Sequence, residues 1–99
     1  ETPAGYELGE AYPNPFNPST TIRFSIPTAG HGLPATLQVY DATGQLVSTL
    51  LDATVSPGSY RADWDGTDAA GHAVASGSYF FRLRVGDQFM KTRRGALLK

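Results

Sequence analysis

Apolar side chains in this chain recur at every second position, in short runs cut off by glycine, proline and aspartate. In TTIRFSIP, Ile22, Phe24 and Ile26 alternate with Thr21, Arg23 and Ser25, and Pro27 ends the run. ATLQVYD repeats the pattern with Leu37 and Val39, GSYRADW with Tyr60, Ala62 and Trp64, and GSYFFRLRV with Tyr79, Phe81, Leu83 and Val85. Residues two apart in an extended chain share a face, so each run predicts a strand with one buried and one solvated side. QLVSTLL is less regular and suits a bulged strand or one helical turn. Its Val, Ser and Thr disfavour helix and decide for strand. QFMKTRR is the expected return partner of GSYFFRLRV, and ALLK ends the chain.

The connections carry turn chemistry. DATG (residues 41–44) and DAAG (residues 68–71) share one form, in which Asp opens a turn with its side chain and Gly closes it in the left-handed region. Gly86-Asp87 suits a two-residue hairpin. The pattern predicts an all-β fold, an antiparallel immunoglobulin-like sandwich of about seven short strands. Residues 1–99 form one such domain, with residues 1–10 a linker running into the first edge segment. The sequence has no cysteine, which excludes disulfides and thiolate metal sites. Aromatic residues replace the missing bridge: Trp64, Phe24, Tyr60, Tyr79 and Phe81 are the candidate core, each contributing roughly 2–3 kcal/mol on burial. No apolar stretch is long enough to span a membrane. The chain opens at Glu1 with no visible leader, as a piece of a longer protein would.

YPNPFNPST, residues 12–20, is neither linker nor regular strand. Its three prolines fix their own φ and hold Tyr12, Asn14 and Asn17 extended, so the segment is stiff before it docks. A segment without ladder donors belongs at an edge or a crossing. Phe16 is then a plug at one end of the sandwich, and the asparagines can satisfy backbone groups that prolines leave unpaired. The competing reading, a ligand for a proline-binding groove, lacks a repeated PxxP pattern.

YPNPFNPSTTIRFSIP closely resembles the opening of the type A C-terminal sorting domain of the type IX secretion system. The resemblance continues in order through LQVYDATGQLVSTLL, GSYRADWDGTDAAGHAVASGSYFFRL and KTRRGALLK, over nearly the whole chain. The pattern is shared with the Ig-like domain of flagellar hook-capping proteins. The resemblance implies a non-catalytic secretion signal at the end of a larger cargo protein, bound by the type IX translocon of Bacteroidetes-like bacteria. It implies removal by a sortase-like cysteine protease, near or upstream of residues 1–11, and delivery through the periplasm to the cell surface or medium. One departure stands out: Arg93-Arg94 is followed by Gly95-Ala96 where such domains often carry two apolar residues.

The charge is uneven. Residues 1–81 hold two basic and eight acidic side chains; residues 82–99 hold six basic ones and only Asp87 acidic. With a two-residue hairpin, Arg82 falls opposite Lys91, and Arg84 and Arg93 share that face with Phe80 and Phe89. Like charges so placed disfavour a sheet by some tenths of a kcal/mol, roughly, so folding does not ask for them. The face is either solvated, with arginines lying over the phenylalanines, or a docking patch for an acidic partner. The expected partner-binding set is Phe80, Arg82, Arg84, Phe89, Lys91, Arg93, Arg94, Leu97, Leu98 and Lys99. Nucleic acid is disfavoured by the acidic remainder of the domain.

Asp63, Asp65 and Asp68 in DWDGTDAAG suggest a calcium loop but lack the glutamate that completes an EF-hand, and capping of backbone N–H groups accounts for them. They remain the weak metal candidates. His31 and His72 lie in separate loops, no serine sits in a nucleophile elbow, and no phosphate loop is present. Neither an enzyme nor a cofactor protein is expected, and the isolated domain should be monomeric. Alternative functions are a carbohydrate-binding or surface-attachment module of a secreted hydrolase, using Tyr40, Phe80 and Phe89, and an Ig-like assembly domain.

Overall fold

The computed structural model describes residues 4–99, so the start of the expected linker, residues 1–3, lies outside the described residues. Seven strands follow in order: β1 (Glu7–Leu8), β2 (Thr20–Ile26), β3 (Pro34–Asp41), β4 (Leu46–Thr54), β5 (Gly58–Trp64), β6 (Gly77–Val85) and β7 (Phe89–Leu97). They form two antiparallel sheets, β1-β2-β5 and β4-β3-β6-β7, which is an immunoglobulin-like sandwich with its fourth strand on the larger sheet. The alternation seen in the sequence is the alternation of burial. Ile22, Ile26, Leu37, Val39, Phe81, Leu83 and Val85 are wholly buried, while Arg23, Arg82 and Arg84 point outward.

Trp64 is the centre of the interior. Phe16, Tyr79 and Phe81 meet its ring edge-on at centroid distances of 5.7, 5.0 and 5.8 Å, and its indole N–H donates to the carbonyl of Thr67 at 2.8 Å. These arrangements put ring edges against ring faces, which the aromatic quadrupole favours. Tyr60 is only half-buried and stacks on Phe24 at 5.3 Å. Both GSY strand openings use the tyrosine in one way: Tyr79 O–H donates to the carbonyl of Ala75 at 2.6 Å, and Tyr60 O–H to that of Ser56. Each hydroxyl thereby pins the turn four residues upstream.

The two Asp-Gly turns fold as their sequences require. Asp41 Oδ1 accepts from the Thr43 hydroxyl and the Gln45 N–H, and Asp68 Oδ1 from the N–H groups of Ala70 and His72. Gly44 and Gly71 both have φ of 87°, where a side chain would be strained. β4 is the bulged strand expected, with register shifts against β3 at Leu37/Gln38 and Val39/Tyr40.

The β6–β7 hairpin differs from expectation. Its loop has three residues, Gly86, Asp87 and Gln88, closed by Gln88 N–H donating to the Val85 carbonyl at 3.1 Å. Val85 therefore pairs with Phe89, Leu83 with Lys91 and Phe81 with Arg93. A one-residue slip moves every side chain of β7 to the other face. Arg82 lies opposite Thr92, not Lys91, so the like-charge pair expected there does not exist.

The proline segment bridges the two sheets. Tyr12 exchanges both backbone hydrogen bonds with Thr21 of β2, and the buried Thr20 hydroxyl donates to the Pro13 carbonyl at 2.8 Å. The chain then crosses to β7. Phe16 N–H donates to the Ala96 carbonyl and Leu98 N–H to the Phe16 carbonyl, both at 2.9 Å. Between these anchors, Asn14 acts as a surrogate backbone: its Oδ1 accepts from Ala96 N–H at 3.0 Å and its Nδ2 donates to the Arg94 carbonyl at 3.3 Å. Phe16 is 1% exposed, the plug its sequence context suggested. Asn17 is exposed and caps nothing among the described residues.

Candidate functional site

The slipped register divides the basic residues between two surfaces. Alternation sends Phe80, Arg82 and Arg84 of β6, and Met90, Thr92 and Arg94 of β7, to the outer face of the four-stranded sheet. Tyr40 joins them, directly opposite Phe80. The Arg82 guanidinium lies 4.8 Å from the Tyr40 ring centroid, a cation–π contact that steadies it above the sheet. Arg84 is held loosely, with Asp87 at 3.9 Å on an exposed turn. Met90 is 61% exposed, so this cationic face carries one large apolar side chain free for contact.

Phe89, Lys91 and Arg93 turn the other way, toward β1. Phe89 stacks on Tyr6 at 4.9 Å, and Tyr6 O–H donates to Gln88 Oε1 at 2.8 Å. Arg93 Nε donates to the Leu8 carbonyl at 2.8 Å, drawing the edges of the two sheets together. Leu97 corrects the sequence expectation most plainly: it is wholly buried and belongs to the core, not to a partner surface. Leu98, 54% exposed, and Lys99 lie outside, with Lys99 N–H donating to the Ser76 hydroxyl.

Lys91 and Arg93 meet two basic residues that sequence reasoning passed over. Arg23 and Arg61 are directly opposite across the β2–β5 ladder, and all four cations line one groove of about 520 Å³. Glu7, Ser25 and Ser59 share its lining, with Tyr6, Phe24 and Tyr60. Nothing in the spacing of Arg23 and Arg61 announces the juxtaposition; only the pairing register brings them together.

The acidic candidates go elsewhere. Asp63 accepts from the Thr21 hydroxyl at 2.6 Å and pairs with Arg61 at 3.2 Å, and these two partners, in that order, hold its carboxyl below its usual value. Asp65 accepts from Thr67. Asp68 is lowered chiefly by the His72 N–H. No group of three acidic or histidine side chains converges as a metal cage among the described residues. Burial pushes the Tyr79 phenol upward, and the nearby Asp41 charge adds to the effect.

Seven antiparallel strands in sheets of three and four, closed around a tryptophan by a crossing edge segment, define an immunoglobulin-like domain. The family described as the FlgD Ig-like domain matches residues 17–88. The chain belongs to that family. Phe16 and β7 lie outside the matched span. No curated protein matches the chain. Among solved structures, it shares its fold with part of dimeric latent PorU from Porphyromonas gingivalis, at 23% identity and a TM-score of 0.72, over 97% of this chain and 10% of that one. The sensor domain of the anti-sigma factor RsgI4 in Pseudobacteroides cellulosolvens is also similar, at 15% identity and a TM-score of 0.60, over 96% of each chain. The chain thus spans about a tenth of the PorU chain it matches.

Proposed function

We propose that this domain is a non-catalytic sorting module that directs a larger cargo protein through the type IX translocon to the cell surface or medium. The proposal starts from the ordered resemblance to type A C-terminal sorting domains. One observation carries it further. The two ends of that resemblance, YPNPFNP and RRGALLK, meet in space: Asn14 and Phe16 are stitched to Arg94, Ala96 and Leu98. The opening motif holds the terminal strand in position, which a domain read by its last hairpin requires. The likeness to a small part of PorU agrees with a module carried within a longer chain.

The translocon reads the outer face of β6–β7, where Arg82, Arg84 and Arg94 surround Phe80 and the exposed Met90. Leu98 and Lys99 extend that surface. Charges of one sign steer an acidic partner, and the apolar side chain anchors it. A carbohydrate platform is less well served, because Phe89 faces away from Tyr40 and Phe80, and Arg82 covers the Tyr40 ring. The test is a fusion of these residues behind a periplasmic reporter in a type IX-competent host. The fusion should be exported, and the Arg82→Glu/Arg84→Glu variant should stay in the periplasm with an unchanged circular dichroism spectrum. Export of that variant at the parental level would reject the surface, and a parental fusion left in the periplasm would reject the sorting role.

A further inference from the structure

We infer that the groove formed by Arg23, Arg61, Lys91 and Arg93 is a second docking site, one that takes an acidic, extended peptide segment of a partner protein. The cations come from three strands and both sheets; Arg93 is bonded to the Leu8 carbonyl and Arg61 to Asp63, and neither contact accounts for Arg23 or Lys91. Arg23 and Arg61 stand directly opposite on paired strands, an arrangement that costs a sheet stability unless an anion lies between them. Asp63 pairs with Arg61, but among the described residues Arg23, Lys91 and Arg93 have no carboxylate at ion-pair distance. Paired guanidinium groups suit carboxylates because each presents a planar fork of donors. The hydroxyl residues Ser25 and Ser59, also opposite one another, add further donors to the lining.

The lining also selects the kind of anion. Glu7 stands within the groove and Asp63 beside it, so a polymer charged at every repeat meets repulsion there. A peptide with spaced carboxylates avoids both. Tyr6 and Tyr60 give apolar surface for the side chains between the charges. This surface is separate from the Arg82/Arg84/Arg94 face and does not depend on the sorting proposal.

The probe is a synthetic twelve-residue peptide alternating aspartate with serine and tyrosine, titrated onto the 99-residue chain by fluorescence anisotropy at low salt. Binding should weaken at least roughly tenfold in Arg23→Glu/Lys91→Glu, both exposed positions, and should be unchanged in Gln45→Glu/Thr54→Glu, exposed positions that do not line the groove. Near-ultraviolet circular dichroism of Trp64 should match the parent in every variant. Equal affinity of the parent and the Arg23→Glu/Lys91→Glu variant would overturn the site. So would no binding to the parent, or tighter binding of polyphosphate than of the peptide.

Discussion

Replacing Phe16 by alanine tests whether the proline segment is part of the core or an ornament on it. The ring is 1% exposed and lies against Trp64 and Phe81, at centroid distances of 5.7 and 6.3 Å. Truncating a buried phenylalanine costs about 3–5 kcal/mol, part of it the lost transfer energy and part the cavity left behind. A domain of this size has about 5–15 kcal/mol in total, so the loss is a large share of its stability. At roughly 4–8 °C per kcal/mol, the midpoint of thermal unfolding should fall by about 12–40 °C. Tyr12→Ala is the internal control, because that ring is 80% exposed and its backbone bonds survive the change. It should stay within about 0.5 kcal/mol of the parent. The assay is urea denaturation followed through Trp64 fluorescence, with thermal melts by circular dichroism. If Phe16→Ala and Tyr12→Ala cost equally little, the segment is not packed as described and the clasp reasoning fails.

Gly95→Leu should destabilise by about 1–3 kcal/mol or more, because even a Cβ there would sit 3.0 Å from the Phe81 ring and 3.1 Å from that of Phe16; a stability equal to the parent in urea would refute that packing. Acid should unfold the domain partly through its turns. The carboxyls of Asp41 and Asp68 are held below 3.8, Asp41 chiefly by the Thr43 hydroxyl and Asp68 by the His72 N–H. The unfolded chain takes up these protons first, so the stabilisation is complete above pH 3.8 and is lost as pH falls through the lower folded values. Urea midpoints measured downward from neutral pH should decline in that window, and less steeply in Asp41→Asn/Asp68→Asn; identical slopes would refute the turn bonds.

The strands with one clean face were legible because burial left a single reading. Ile22, Phe24 and Ile26 can face only inward together, and the same holds for Tyr79, Phe81, Leu83 and Val85. The turns were legible because Asp and Gly each have one physical use at those positions. β7 was not legible from its start, since Phe89 and Met90 give both of its faces an apolar residue. A two-residue loop buries Met90; the three-residue loop buries Leu97 and brings Phe89 onto Tyr6. Gly95-Ala96-Leu97-Leu98 repeats the ambiguity, since a small residue stands two places before a leucine on either face. The departure at Gly95 then has a cause: the rings of Phe16 and Phe81 occupy the space a side chain would need. The groove was beyond reach, since Arg23 and Arg61 are neighbours only through the ladder between strands far apart in sequence.

The stitching of Asn14 and Phe16 to Ala96 and Leu98 makes the order of synthesis matter. A nascent polypeptide that has not yet delivered Ala96 cannot seat Phe16, and its Trp64 stays uncovered on that side. Closure therefore waits for Ala96 to Leu98. A polypeptide that stops short of them is left unfinished and protease-sensitive, and only one that reaches them acquires a sealed interior.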